Sequence, residues 1–580
     1  MKITKQQKKT IAQSYKESTV KELADRTGLS EVEVEQYLSK KGKEAKVERP
    51  KDELPSYTSL KDLVLILRMN LPFLLVLLVV IIAVFANSLK GAYVSDDIAT
   101  YVDNKELANF DTVLKSQVKI QTLILYISYN TFGGNPIFLH SVSILTHYLV
   151  TVVAFVLLYM RFGKKPALIA ATLFAVHPVV TEVVSWISGI NYAYQSIKTL
   201  ILLILFTLYR NSNNKKYLIA AVIYFLILNL MSVNPWSLVI PATIVAWDQF
   251  ILQSKINFKK LLVFVPLLAV SVLIFMWKLM PVASDRVSML YAHPEERSPY
   301  WLTFPYTVFM TFRLMIFPDK LTLYHEGEVL TPLFFTITRI FLVVMIFLIP
   351  YLIRKNRTIA GLILVIYASL IPALSPVQVA WFMAERYLYL GLAFFCLMLG
   401  FLFLYIEKKS NKKYVALILT ILLFLAYSVR TMVRNVDWRS HKNLWFATYK
   451  VSPSSPKVHN NLGDIYTREG NYEMAIYHFK RSGEISPNFD AAHFNLGRTY
   501  YITRQIDLAK QKFMGALRVN PTLYQAYYML GVIEFDAGNL DTAQAYFLKA
   551  LEINPADPET LRAMQMLNSR QVQTTQPLAP

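Results

Sequence analysis

Between about residue 70 and residue 431 the chain alternates between long apolar stretches and short polar ones. Eleven stretches approach the roughly 20 residues needed to cross a bilayer core: 70–89, 138–160, 166–184, 191–209, 217–233, 237–252, 261–279, 332–352, 358–375, 389–406 and 413–431. This pattern predicts an all-α polytopic bundle of about eleven spans over 61–431, preceded by a polar segment, 1–60. The stretch 301–318 is also apolar but carries Arg313 and two prolines. It reads as an interfacial or re-entrant helix.

The polar connections differ in kind. "RFGKK", "RNSNNKK", "KINFKK", "RKNR" and "EKKSNKK" are short and basic and fall at every second connection. The bias of Lys and Arg toward the cytoplasmic side places all five inside, with the N-terminus. The connections 90–137, 185–190, 280–331 and 376–388 then lie outside, with everything after 431. An odd number of spans makes this arrangement consistent.

After 431 the period changes. Leu462-Gly463, Leu496-Gly497 and Leu530-Gly531 recur every 34 residues, as do Ala475, Ala509 and Ala543, Phe479, Phe513 and Phe547, and Pro487, Pro521 and Pro555. This is the signature of the tetratricopeptide repeat (TPR). It predicts a linker at 432–455, a three-repeat α-solenoid at 456–558 on the outer side, and a tail at 559–580 that ends disordered.

Composition adjusts this picture little. A chain that is 54% hydrophobic is not a soluble protein. The net charge of +21 follows from the basic connections, so nucleic acid is not an expected partner. The segment "VKELADRTGLSEVEVEQYL" does resemble a small helix-turn-helix, a unit that also serves as a charged anchor. The one cysteine, Cys396, lies in an apolar stretch and supports neither a disulfide framework nor a thiolate metal site. The first 60 residues are too long and charged for a signal peptide, so 70–89 reads as an uncleaved membrane helix. A transporter would need repeated halves and polar groups at mid-membrane, and neither is evident.

The topology asks which ionisable groups share the outer side. Asp96 and Asp97 follow the first span. His177-Pro178 and Glu182 close the third, where the proline breaks the helix. Arg313, His325, Glu326 and Glu328 lie in the long outer loop, and Glu385 and Arg386 in the last one. Charged groups gathered on one membrane face are what an active site there requires. Plainer readings accompany each. Paired aspartates also make a solvated turn or a helix cap. Glu385 and Arg386 also make an interfacial ion pair, and His177 also satisfies carbonyls freed by the proline. His140 and His147 read as interhelical hydrogen-bonding groups rather than metal ligands. Trp186, Trp301, Trp381 and Trp438 fit an aromatic belt, with sugar stacking as the second reading.

A first membrane helix followed by paired acids resembles the GT-C superfamily of polytopic glycosyltransferases that use lipid-linked sugars. With "FAVHPVVTEVVSWISG", "MAERYLYL" and "DWRSHKNLWFATYKVSPSSPKVHNNLGDIY" running into repeats, residues 70–560 resemble the transmembrane and TPR-containing protein O-mannosyltransferases and their prokaryotic relatives. Ser95 stands where the family often has an aromatic. The resemblance implies transfer of a sugar, mannose, from a polyprenyl-phosphate donor to a Ser or Thr hydroxyl of an exported protein, with inversion. It implies Asp96 as general base, oriented by Asp97, and Arg386, Arg313 and His177 as partners of the donor phosphate. Glu182 and Glu385 would hold sugar or acceptor. No cofactor is required, although two acids leave a divalent metal open. The repeats would bind the acceptor polypeptide or another envelope protein. The N-terminal module and the high Lys, Ile, Asn and Tyr usage fit a prokaryotic plasma membrane, and an endoplasmic reticulum membrane, with the lumen as the outside, would give the same topology. Transfer of another lipid-linked glycan to polysaccharide or lipid, and a non-catalytic TPR scaffold, are the alternatives.

Overall fold

The computed structural model describes residues 3–14, 20–40, 57–102, 104–116, 119–231, 239–252, 258–280, 299–325, 331–375 and 381–575. Every regular element in them is helical. Among the described residues, six helices are long and apolar enough to cross a membrane: Leu71–Ser88, Pro136–Phe162, Ile187–Ser212, Pro332–Lys355, Glu385–Ser410 and Val415–Asp437. A seventh is formed if Lys164–Val176 and Pro178–Ser185, bent by 51° at His177, count as one. The chain is a multi-pass membrane protein.

By length, six or seven of the about eleven expected spans are found among the described residues. Each predicted stretch coincides with helix in its described residues, but Lys215–Met231, Ile240–Leu252, Leu261–Trp277 and Arg357–Ala368 run only 10–17 described residues. Apolar composition runs on through turns that end a helix. The stretch 358–375 shows why: its helix stops at Ala368, and the turns that follow contain Pro372. The stretch 301–318 forms Tyr300–Ile316, which buries Thr303, Thr307 and Thr311 on one face.

Burial separates the spans into a centre and a rim. Pro136–Phe162, Ile187–Ser212, Glu385–Ser410 and Lys164–Val176 share the core around Phe155, Phe174, Phe206 and Phe394. Close approach is built in at Gly400, where an added β-carbon would lie 3.2 Å from the Pro166 carbonyl oxygen. Pro332–Lys355 sits at the rim with Leu333, Phe347 and Tyr351 exposed, as a lipid-facing surface must be.

At the N-terminus, Lys5–Ser14, Val20–Thr27 and Glu31–Lys40 pack on Ile11, Leu23, Val34 and Leu38. Gly28 has φ +65° at the turn. The third of these helices also places Val32 in the core cluster of the membrane bundle with Tyr57 and Ile66, so the unit rests on the bundle.

The segment expected as a linker is largely helical. Val415–Asp437 runs past 431 and is followed by His441–Val451. Three helix pairs follow: Pro456–Arg468 with Tyr472–Ile485, Asp490–Ile502 with Ile506–Val519, and Tyr524–Asp536 with Leu540–Ile553. The tail continues as helix Pro558–Thr575, which buries Leu567 against Ala543 and Phe547. A last repeat exposes its apolar face unless something covers it, and this helix does so.

The first repeat is bound to the membrane bundle. Val458, Leu462 and Ile465 share a buried cluster with Val94, Trp186, Leu323, Trp438 and Trp445. Lys457 Nζ lies 3.7 Å from the ring centre of Trp381, and Ser452 Oγ donates to the Tyr324 carbonyl at 2.6 Å.

The recurring glycines explain the tight pairing within each repeat. A β-carbon at Gly463 would sit 2.6 Å from the Phe479 ring. Gly463→Val should destabilise the array by about 1–3 kcal/mol through overpacking. Limited proteolysis of the solubilised chain should show earlier cleavage of the repeats, with the membrane bundle unaffected.

Candidate functional site

The loop after the first span is fixed before it reaches the aspartates. Gly91 N donates to Ser88 O at 2.8 Å, and His140 Nε2 lies 3.3 Å from the Gly91 carbonyl oxygen. A β-carbon on Gly91 would come within 2.9 Å of that nitrogen, so only glycine fits. Ala92 N donates to Arg439 O at 3.0 Å. Ser95 then takes φ +53°, a left-handed conformation costly for a residue with a β-carbon.

That turn separates the acids. Asp96 is exposed, with Ser95 Oγ 3.5 Å away. Asp97 is fully buried and accepts from Ser188 Oγ at 2.6 Å, Ser188 N at 2.9 Å and Val94 N at 3.3 Å. Burial pushes its carboxyl up to about 7, against the opposite pull of those hydrogen bonds. The Asp96 charge adds a smaller upward push.

Ser188 belongs to the turn that follows the break at Pro178. Upstream in the same stretch, Glu182 is completely buried and paired with Arg386. The Arg386 backbone N–H also donates to Glu182 Oε2 at 2.7 Å, and its Nε lies 3.3 Å from the Tyr192 hydroxyl. The guanidinium covers Trp186 at 5.5 Å and Tyr387 at 5.1 Å.

Glu385 does not pair with its neighbour Arg386. Its Oε1 accepts from Thr322 N and faces Arg434 Nη2 at 3.5 Å, while Arg434 Nη1 donates to Asp437 at 2.9 Å. The expectation of a local Glu385–Arg386 pair is replaced by two crossed pairs from distant segments. Consecutive residues at the start of a helix point in different directions, so neighbours of opposite charge find partners elsewhere. Glu385 Oε2 and Arg434 Nε have no hydrogen-bond partner among the described residues. Removing one member of such a buried pair typically costs about 3–5 kcal/mol, because the other charge is left uncompensated.

Trp186 and Trp438 stack at 6.0 Å beneath the two guanidinium groups, with Arg434 5.6 Å over Trp438. Both indoles are buried rather than arrayed at a lipid interface, which corrects the belt reading for these two. Trp301 is exposed.

His177 is buried where the helix breaks. Val179 N donates to its Nδ1 at 3.2 Å, so Nε2 carries the proton and donates to Met315 O at 2.9 Å. Arg313 pairs with the exposed Asp319 at 2.7 Å. His147 bridges to the Tyr389 hydroxyl at 2.7 Å and the Ala175 carbonyl at 3.1 Å, in line with the interhelical reading. Glu326 and Glu328 lie outside the described residues. No group of three His, Cys, Asp or Glu stands ready to hold a metal among the described residues.

Glu182 with Arg386 and Glu385 with Arg434 are brought together as buried pairs, Asp97 is tied through Ser188 to the segment that carries Glu182, and Asp96 follows Asp97 by adjacency in the chain. Arg434, Ser188 and Tyr192 were not anticipated. Arg434 had a readable signal, an arginine inside an amphipathic helix three residues before Asp437. Ser188 and Tyr192 had none.

The family model described as "TPR repeat" matches residues 463–502, and the one described as "Tetratricopeptide repeat" matches 524–557. Over 478 residues the chain is 24% identical to "Protein O-mannosyl-transferase TMTC3" of Homo sapiens, covering 72% of this chain and 52% of that protein. It is 26% identical over 437 residues to "Protein O-mannosyl-transferase F38B6.6" of Caenorhabditis elegans, covering 68% and 60%. "Protein O-mannosyl-transferase TMTC4" of Mus musculus is 36% identical over 105 residues, covering 18% of this chain and 14% of that protein. The chain is homologous to the human and Caenorhabditis elegans proteins over about 70% of its length, and it spans 52% and 60% of theirs.

The environment of Asp97 sets a pH dependence. Its folded-state value, about 7, exceeds the unfolded value of 3.8. The native state therefore holds a proton that the unfolded state has lost between these values. The contribution to stability is fully present below pH 4 and declines as pH rises through 7. Thermal unfolding of solubilised protein should show the wild type losing ground to Asp97→Asn over that window. Parallel pH curves for the two would contradict the assigned burial.

Proposed function

We propose that the chain is a membrane glycosyltransferase that moves a sugar, mannose, from a polyprenyl-phosphate carrier to a Ser or Thr hydroxyl of an exported protein, on the extracytoplasmic side. The observation that carries this reading is the division of the paired acids. One carboxylate is exposed and the other is locked, beside two buried carboxylate–guanidinium pairs, in a chain homologous to protein O-mannosyl-transferases.

A hydroxyl is a weak nucleophile and needs a base within hydrogen-bond reach. Asp96 is assigned this role. The acceptor oxygen bonds to the anomeric carbon as the bond from that carbon to the phosphate oxygen breaks. The hydroxyl proton passes to Asp96, and the electron pair leaves on the lipid phosphate. One direct displacement inverts the anomeric centre. Asp97 holds the loop to Ser188 and acts as a positioning residue. Arg386 supplies positive charge and a planar fork toward the phosphate oxygens, with Glu182 fixing its orientation. Glu385 is held by Arg434 and lies near enough to Glu182 to feel its charge. His177 stabilises the helix break and Arg313 is paired with Asp319, so neither is given a part in the transfer.

The repeats divide between two tasks. The first supports the loops that carry Leu323 and Trp381, because it packs directly on them. The second and third extend away and offer binding surface to a polypeptide, raising its local concentration.

Asp96→Asn keeps shape but cannot take the proton, so turnover of lipid-phosphate sugar in nanodiscs should fall roughly 10²–10⁴-fold with donor binding little changed. Arg386→Lys should weaken donor binding, since it loses the planar fork. Wild-type turnover by Asp96→Asn would remove the assignment of the base.

Truncation separates the two tasks of the repeats. A chain ending at 488 should still modify a short soluble peptide and lose activity on full-length protein acceptors. A chain ending at 455 should lose both. Equal activity of the two truncated chains on the short peptide would show that the first repeat gives the site no support.

A further inference from the structure

We infer that the cleft lined by Thr100, by residues of 104–116 and by residues of 121–125, its wall beginning four residues after Asp96, is the acceptor subsite and takes a short extended polypeptide segment that carries the reacting hydroxyl. This rests on the transfer proposed above. The cleft has a volume of about 560 Å³, within the usual range of ligand pockets. It has an apolar floor, Leu107 and Leu125, and polar walls.

Three features identify the occupant. First, among the described residues the walls carry the carboxylates of Glu106 and Asp111 against one ammonium, Lys115. A net negative lining repels a phosphate, so the donor headgroup is excluded. Second, no aromatic side chain lines the cleft among the described residues, so these offer no flat surface on which a sugar ring stacks. Third, Asn104 and Asn109 are held by local turns. Their Oδ1 atoms accept from Glu106 N at 3.2 Å and Asp111 N at 2.9 Å. That fixes each side chain and leaves its NH₂ group to donate. Amide donors alternating with carboxylate acceptors along a groove match the carbonyls and N–H groups of an extended backbone.

The cleft is joined to the acids in two ways. Asp96 opens the helical turn on which Thr100, four residues on, forms the cleft wall. Residues four apart share a helix face, so a hydroxyl at the mouth of the cleft lies toward Asp96. Behind the wall, Gln121 Nε2 donates to the Tyr101 hydroxyl at 2.9 Å. Tyr101 lies 3.2 Å from Ser188 Oγ, which donates to Asp97 at 2.6 Å. One hydrogen-bonded chain therefore runs from the cleft wall to the locked aspartate. An occupant that moves Gln121 bears directly on the loop that presents Asp96.

The test measures binding separately from turnover. Full-length chain in nanodiscs is titrated with a fluorescent threonine-containing peptide by anisotropy, with no donor present. Separately, polyprenyl phosphate is titrated on its own. Glu106→Lys with Asp111→Lys, both exposed positions, should weaken peptide binding at least tenfold and leave polyprenyl-phosphate binding unchanged. In transfer assays the same variant should raise KM for the peptide with kcat retained, and Asp111→Glu should restore wild-type values to the single variant Asp111→Lys position. Unchanged peptide affinity in the double variant would overturn the assignment of the cleft, as would a wild-type chain that binds no peptide. Peptide binding that depends on the cleft, with no turnover of any lipid-phosphate sugar, would support the cleft and count against the transfer reading alone.

Discussion

A guanidinium has no neutral form to adopt when it is buried, and Arg386 is only 6% exposed. The outer face of the bundle is arranged around that fact. Arg386 requires a carboxylate at contact distance, and Glu182 provides it. Glu182 reaches the position because the third apolar stretch does not continue as a straight helix. Pro178 ends it, His177 satisfies the freed groups, and a short helix leads off at 51°. Past Glu182, that short helix carries Trp186 under the guanidinium and leads to Ser188, where Asp97 is caught. A straight third helix would leave Arg386 uncompensated and the aspartate loop without an anchor.

Much of this was legible in the sequence. The repeats were, because their glycines, alanines and phenylalanines encode contacts within a single 34-residue unit. The apolar segments were, and so was the break at Pro178, because both are local. The number of full-length spans was not, since composition does not mark where a helix yields to a turn inside apolar sequence. Nor were the crossed pairs. Glu385 and Arg386 are adjacent and opposite in charge, which invites a local pairing. Their true partners lie about 50 and 200 residues away, and only the packing of five segments brings them together. The last residues, 569–580, read as disordered, are helical as far as Thr575 for a related reason. A polar, amphipathic sequence looks unstructured until the apolar end of a repeat array offers it a surface.

The junction between bundle and repeats changes how the chain divides. By sequence, 432–455 separates two domains. In space, Trp445, Val458 and Leu462 join Val94, Trp186 and Trp438 in one buried cluster. The tryptophan that stacks beneath Arg386 is thus also part of the seat of the first repeat. An array attached in this way does not pivot freely on its linker, because tilting its first helix would expose indole surface to water. The first repeat is continuous with the outer face, and only the later repeats hang from it.

The two aspartates are adjacent, yet their environments are opposite, and the cause is one backbone angle. With Ser95 at φ +53° the chain enters its helical turn so that Asp97 points inward to Ser188 and Asp96 outward. Successive residues on a helical path differ by about 100° in direction, so both cannot face the same way. Left-handed serine is unfavourable by itself, and the three hydrogen bonds to Asp97 are what hold it in place. Asp97 lacks the exposure to meet an incoming hydroxyl, and its oxygens already accept from serine and backbone. Asp96 has the exposure but, without its neighbour's anchor, would sit in a loop of no fixed direction. The pair works as a unit, with one carboxylate fixing where the other one points.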